Sequence, residues 1–215
     1  MDILKHANDL KVGMFFYSMT RFSFFKYGTL KKIVQSSFVV KGGILMDAIR
    51  YPIGPFDVAT TISDLQFKEA VESIRHYPKR LRQVMDQLTD ADLSKTYRPG
   101  SWTVQQLIHH LADAQIHYYI RCKVAATEDS PPVSTFDENL WATLVDTSLP
   151  PDASLSVIAS INMRLTTFLD SLSVNAIYRT IQHPEKGALT IAQLVAMADW
   201  HCNHHLAHIQ LAVKS

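Results

Sequence analysis

Histidine is the chemical outlier of this chain: of ten, three (His109, His110 and His117) fall in one short segment and four (His201, His204, His205 and His208) in another. If the second segment is helical, at about 100° per residue His201 and His205 lie roughly 40° apart and His208 within about 20° of His201. The apolar positions Ile191, Leu194 and Ala198, continued by threes and fours, lead to 201, 205 and 208. These imidazoles therefore continue a core seam and point inward. His110, between Leu107 and Ala114, borders the buried face of its own segment. An unpaired buried polar group costs about 1–3 kcal/mol, and one shared divalent metal would satisfy three imidazoles at once. His110, His201 and His205 are the predicted ligands, with His208 one turn deeper and His109 and His204 rotated off the seam. Neutral imidazole suits zinc or nickel, as well as copper and ferrous iron, and three ligands leave a fourth position open. The competing reading is a set of hydrogen-bonded core histidines.

The surrounding residues narrow the chemistry. There is no H-E-x-x-H pattern, because Cys202 follows His201 and no Glu stands before His205, so zincin chemistry is unsupported. Cys122 and Cys202 lack C-x-x-C spacing and read as small hydrophobes. His109, Asp113 and His117 are candidate general bases. Asp113, one turn after His110, is also placed to accept a hydrogen bond from a ligand imidazole. Arg121 and Glu128, on the later turns of their helix, read as residues of bundle salt bridges, with a substrate contact as the alternative. Trp200 is expected to wall the site.

Four segments carry the signals of the helices that must position these residues. Ser63 with Gln66, Thr103 with Gln106 and Thr190 with Gln193 have capping-box spacing, and Ser154 reads as a fourth start. Apolar residues three and four apart follow each, predicting helices over 63–88, 103–128, 154–172 and 190–213, with a kink at Pro78. Four amphipathic helices bury their faces best against one another, so the expected fold is all-α, a four-helix bundle with a long, proline-rich connection between helices 2 and 3. Within that connection 136–141 suggests a short helix, and a hairpin is expected around Pro184 to Gly187. Only 7 Gly agrees with a helical chain.

Residues 1–45 differ in kind. They hold seven of the 21 Lys and Arg against Asp2 and Asp9 alone, and many aromatics without sustained periodicity. They read as a basic aromatic extension outside the fold, with Met46 a candidate initiator and 46–215 the organised domain. Arg21 and Lys26 interrupt the apolar run before it could span a bilayer. Net charge of +1 gives no case for nucleic acid, and two cysteines exclude a disulfide scaffold. A cytoplasmic protein acting on a small molecule, without a nucleic-acid or membrane partner, is expected.

Several strings carry a resemblance: Arg50-Tyr51-Pro52-Ile53-Gly54; Tyr97-Arg98-Pro99-Gly100-Ser101-Trp102 leading to His109-His110-Leu111-Ala112-Asp113; Phe136-Asp137-Glu138 with Trp141; and Trp200-His201 through His204-His205-Leu206-Ala207-His208. Together they resemble the DinB superfamily and its YfiT-type members, described as metal-dependent hydrolases and including bacillithiol S-transferases. The resemblance covers about 46–215. It implies a four-helix bundle, one divalent metal on His110, His201 and His205, a homodimer, and an enzyme that activates water or a low-molecular-weight thiol. A non-catalytic metal-binding or stress-response bundle is the alternative. The lack of a Glu between the two ligands removes the obvious base for water, and a thiol of pKa near 8.5 needs less help, which favours S-transfer.

Overall fold

The computed structural model describes residues 48–58 and 60–214; the expectations for 1–45 lie outside them. Within residues 64–212 six α-helices follow in order: α1 (Asp64–Met85), α2 (Asp90–Leu93), α3 (Val104–Thr127), α4 (Glu138–Trp141), α5 (Asp152–Asp170) and α6 (Ile191–Ala212). Strands β1 (Thr180–His183) and β2 (Gly187–Thr190) form an antiparallel hairpin between α5 and α6, with Gly187 in the left-handed region at its turn. Among the described residues no helix is long and apolar enough to cross a membrane.

The three capping boxes form as expected. Ser63, Thr103 and Thr190 each accept from the backbone N–H three residues on, and Gln66, Gln106 and Gln193 return the bond. Ser154 does not cap. Helix α5 begins earlier, after Pro151, and Ser154 is buried in its first turn, where its hydroxyl meets His109 Nδ1 at 2.7 Å. Pro151 at the N-cap already has helical φ and ψ, so the first turn starts there without a hydroxyl cap.

Helices α1, α3, α5 and α6 are the bundle. Helix α6 packs on α1 and α3, and α5 packs on the same two, so α5 and α6 face each other across a diagonal. One core cluster joins the N-terminal halves of α1 and α6 (Phe67, Val71, Ile74; Ile191, Leu194, Val195) to the C-terminal halves of α3 and α5 (Tyr118, Cys122; Leu165, Leu169). The other joins Leu81, Leu107, Leu111, Ile158, Leu206 and Ile209. Helices α1 and α6 therefore run one way and α3 and α5 the other. Because α3 and α5 are parallel, residues 128–151 must travel back along the bundle, which explains the length of that connection. Donors on α3 hold it there: Arg121 Nη2 to the Ser134 carbonyl, Gln106 Nε2 to Ala142, Gln105 Nε2 to Thr147 and His109 Nε2 to Leu149.

Pro78 lies inside α1 and brings no N–H to the Ile74 carbonyl four residues back. Asn162 of α5 supplies the missing donor, its Nδ2 lying 3.1 Å from that oxygen. We expect Asn162→Ala and Pro78→Ala to be coupled by about 0.5–3 kcal/mol in a double-mutant cycle read by urea unfolding. Strictly additive effects would refute the compensation.

Candidate metal centre

The break between the two core clusters falls between Ala112 and Ala114 on α3 and between Ala198 and Cys202 on α6. His110 and His201 stand at that level. His110, His201 and His205 each bring a ring nitrogen within 4.8 Å of the others, and the Nε2 atoms of His110 and His201 are 3.0 Å apart. The His205 ring stands edge-on to both, at 84° to His110 and 82° to His201. Antiparallel packing of α3 on α6 makes this convergence: the i, i+4 pair comes from one helix and the third ligand from its neighbour.

Burial keeps these imidazoles neutral. It pushes His110 down to about 4, and drives His201 and His205 well below the usual imidazole range, with neighbouring histidines adding to the effect. Neutral imidazole is the ligating form. Three such nitrogens cannot satisfy one another, since one proton between the His110 and His201 Nε2 atoms leaves the third ring outside the bond. A divalent cation would take all three lone pairs, so the residues fit a metal.

The triad opens on a cavity of about 390 Å³ lined by Trp102, Tyr97, Arg98, Arg50, Tyr51, Glu138 and Trp200 among others. Trp200 walls it as expected, stacking on His204 with ring centroids 4.4 Å apart and donating Nε1–H to the Gly54 carbonyl at 3.0 Å. Glu138 comes from α4, and its carboxyl is pushed above the usual range by burial and by Asp137 and Glu185.

The residues expected to assist catalysis stand elsewhere. Both ring nitrogens of His109 are engaged, with Ser154 and Leu149. His117 stacks on Phe136 at 4.4 Å, and Arg121 donates to the Ser134 carbonyl. None of the three lines the cavity; they fasten the 128–151 connection to α3. Asp113 meets no histidine. It faces Asp146 of that connection, and burial together with this like charge raises its carboxyl to about 6. The outer partner of His205 is instead His208, whose Nδ1 lies 3.3 Å from His205 Nδ1. Sequence reasoning did not place Glu138 at the cavity because it lies in the connection, 28 residues beyond His110; only the Phe136-Asp137-Glu138 string pointed to it.

Residues 73–209, which include His110, His201 and His205, match the profile of the DinB superfamily. The chain belongs to the DinB superfamily. A relative from Halalkalibacterium halodurans, named "Putative metal-dependent hydrolase", is 41% identical over 164 residues, covering 76% of this chain and 96% of the relative. One of the same name from Oceanobacillus iheyensis is 40% identical over 165 residues, covering 77% and 96%. The solved structure of YfiT from Bacillus subtilis, described as a probable metal-dependent hydrolase with an unusual four-helix bundle topology, superposes with a TM-score of 0.74. It shares 34% sequence identity over 78% of this chain and 97% of its own. The expected fold and DinB membership are thus both established.

Proposed function

We propose that this DinB protein is a metal-dependent enzyme in which His110, His201 and His205 hold one zinc or nickel ion and the cavity admits a small thiol for S-transfer to an electrophile. The observation that carries this reading is a ligand set of three neutral imidazoles facing a cavity whose wall also bears Arg50 and Arg98. Such an ion, when bound, keeps its full +2 charge and lowers the pKa of a nucleophile at its open position. The protein's own groups do the rest. Arg50 and Arg98 attract an anionic substrate to the mouth, where Tyr51 and Tyr97 lie under their guanidinium groups with centroids 5.4 and 5.5 Å away. Trp102, 4.6 Å from the His110 ring, keeps one side of the triad dry. Glu138, held above the ordinary carboxylate range, is the group placed to take the nucleophile's proton.

Glu138 also favours a second reading. It supplies the base for water that the sequence lacked between its two α6 ligands, so hydrolysis, the activity in the relatives' names, is the competing reaction. The zinc- and nickel-loaded protein should be assayed with several small thiols against a chlorinated aromatic acceptor, and with an ester and amide library. Metal-dependent thiol addition supports S-transfer, and turnover confined to the library establishes hydrolysis. Activity with neither leaves a non-catalytic metal-binding protein. Glu138→Gln should lower kcat by about 10²–10⁴-fold in whichever reaction occurs while metal content stays unchanged.

A further inference from the structure

Five histidines crowd one end of the cavity, and two overlapping triads can be drawn among them: His110, His201 and His205, and His204, His205 and His208. His205 belongs to both. Which ring nitrogen carries its proton decides whether the protein has two metal sites or one site with a buttress.

The protons can be assigned from the far end of the chain of contacts. His208 Nε2 lies 3.2 Å from the backbone carbonyl of Arg50, and a carbonyl only accepts, so Nε2 bears the hydrogen. In neutral imidazole with Nε2 protonated, Nδ1 is an acceptor. His208 Nδ1 faces His205 Nδ1 at 3.3 Å, so the proton between them belongs to His205. The Nε2 of His205 is then left with a bare lone pair.

Resting on the three-histidine metal reading, we infer that His208 is a positioning residue that fixes the tautomer and ring orientation of His205, passing a hydrogen-bond chain from the metal ligand to the Arg50 carbonyl. His208 is well suited to this. Tyr97 stacks on it with ring centroids 3.8 Å apart and planes 10° apart, so the segment before α1, the α2–α3 connection and α6 hold the ring together. Ligand histidines usually lean on a carboxylate or a carbonyl, and here an imidazole is interposed between ligand and carbonyl. The same assignment excludes His204, His205 and His208 as a second site alongside the first, because His205 would have to give up both ring protons. It also gives the Arg50-Tyr51 and Tyr97-Arg98 strings a part in metal binding, although none of their side chains is among the predicted ligands.

The test uses the full-length chain with zinc as the probe. Long-range ¹H–¹⁵N NMR of the zinc-loaded wild type should show His205 ligating through Nε2 and protonated at Nδ1, and His208 protonated at Nε2. Competition with a chromophoric chelator should show one zinc per chain. His208→Leu, which removes the acceptor, should weaken that affinity by about 10–100-fold. His208→Asn, whose Oδ1 can occupy the place of Nδ1, should recover most of the loss. Ligation of His205 through Nδ1, wild-type affinity in His208→Leu, or a second tight zinc lost in His204→Ala would each overturn the inference while leaving the metal reading standing. Failure of the wild type to bind zinc or nickel would overturn both.

Discussion

Replacing His201 and His205 together by alanine should abolish stoichiometric zinc or nickel binding, and each single replacement, like His110→Ala, should weaken it by more than the roughly 10–100-fold expected for loss of an outer partner. The ligand set makes the effect large. Three neutral imidazoles carry no charge to hold the ion, so each lost nitrogen removes a third of the protein's bonds to it, and water must replace it. Binding is also visible in stability: ligand at about 1,000 times Kd adds about 4 kcal/mol, or about 8–16 °C in Tm for a domain of this size. That metal-dependent shift should vanish in the double variant. His109→Ala is the informative control, because His109 is buried in the same helix but bonded to Ser154 and Leu149. It should lower Tm and keep the metal. Metal retained by the double variant, or lost from His109→Ala, would show that the ion sits elsewhere.

How far the site could be read from sequence follows from where its parts lie. His201, His205 and the stripe Ile191, Leu194, Ala198 share one helix, and helical geometry alone fixes their common direction. His110 was legible because it sits on the buried face of another capped helix. Capping boxes at Ser63, Thr103 and Thr190 located three of the four bundle helices, since side chain and backbone exchange bonds within four residues. Nothing local could show that α3 and α5 run parallel. That fact sends 128–151 back along α3, and with it Glu138 to the cavity and Asp146 to Asp113. It also sets the candidate catalytic groups His109, His117 and Arg121 against the connection, which they fasten to α3. Likewise the donor from Asn162 to Ile74 joins residues 88 positions apart, so Pro78 marked a missing backbone donor but not the residue that would replace it.

The second large effect is on the metal-free protein, whose stability should fall as pH drops from about 6.5 toward 4. Burial holds His110 at about 4 against an ordinary 6.5, so in this window the unfolded chain takes up a proton that the folded one refuses. Stability is therefore complete above pH 6.5 and is lost as pH falls toward the folded value. For His110, which is 7% exposed, the full span is worth about 3 kcal/mol. His204, also lowered to about 4, and His201 and His205, driven lower still, act in the same direction. Asp113 opposes them. Its raised pKa of about 6 lets the folded state bind a proton the unfolded chain does not take until lower pH, which stabilises the fold as pH falls below 6. Glu138 and Asp199 are raised as well and act like Asp113, while His117, His183 and His208 are lowered and add to the loss, and seven histidines against three carboxyls leave acid destabilisation dominant. Urea unfolding of the metal-free protein at pH 7.5 and 4.5 should show the loss; His110→Leu should shrink it and Asp113→Asn should enlarge it. A midpoint that does not move between those pH values, or moves the other way in the two variants, would mean that these imidazoles are not held neutral by burial and that the reasoning behind the neutral ligand set is wrong.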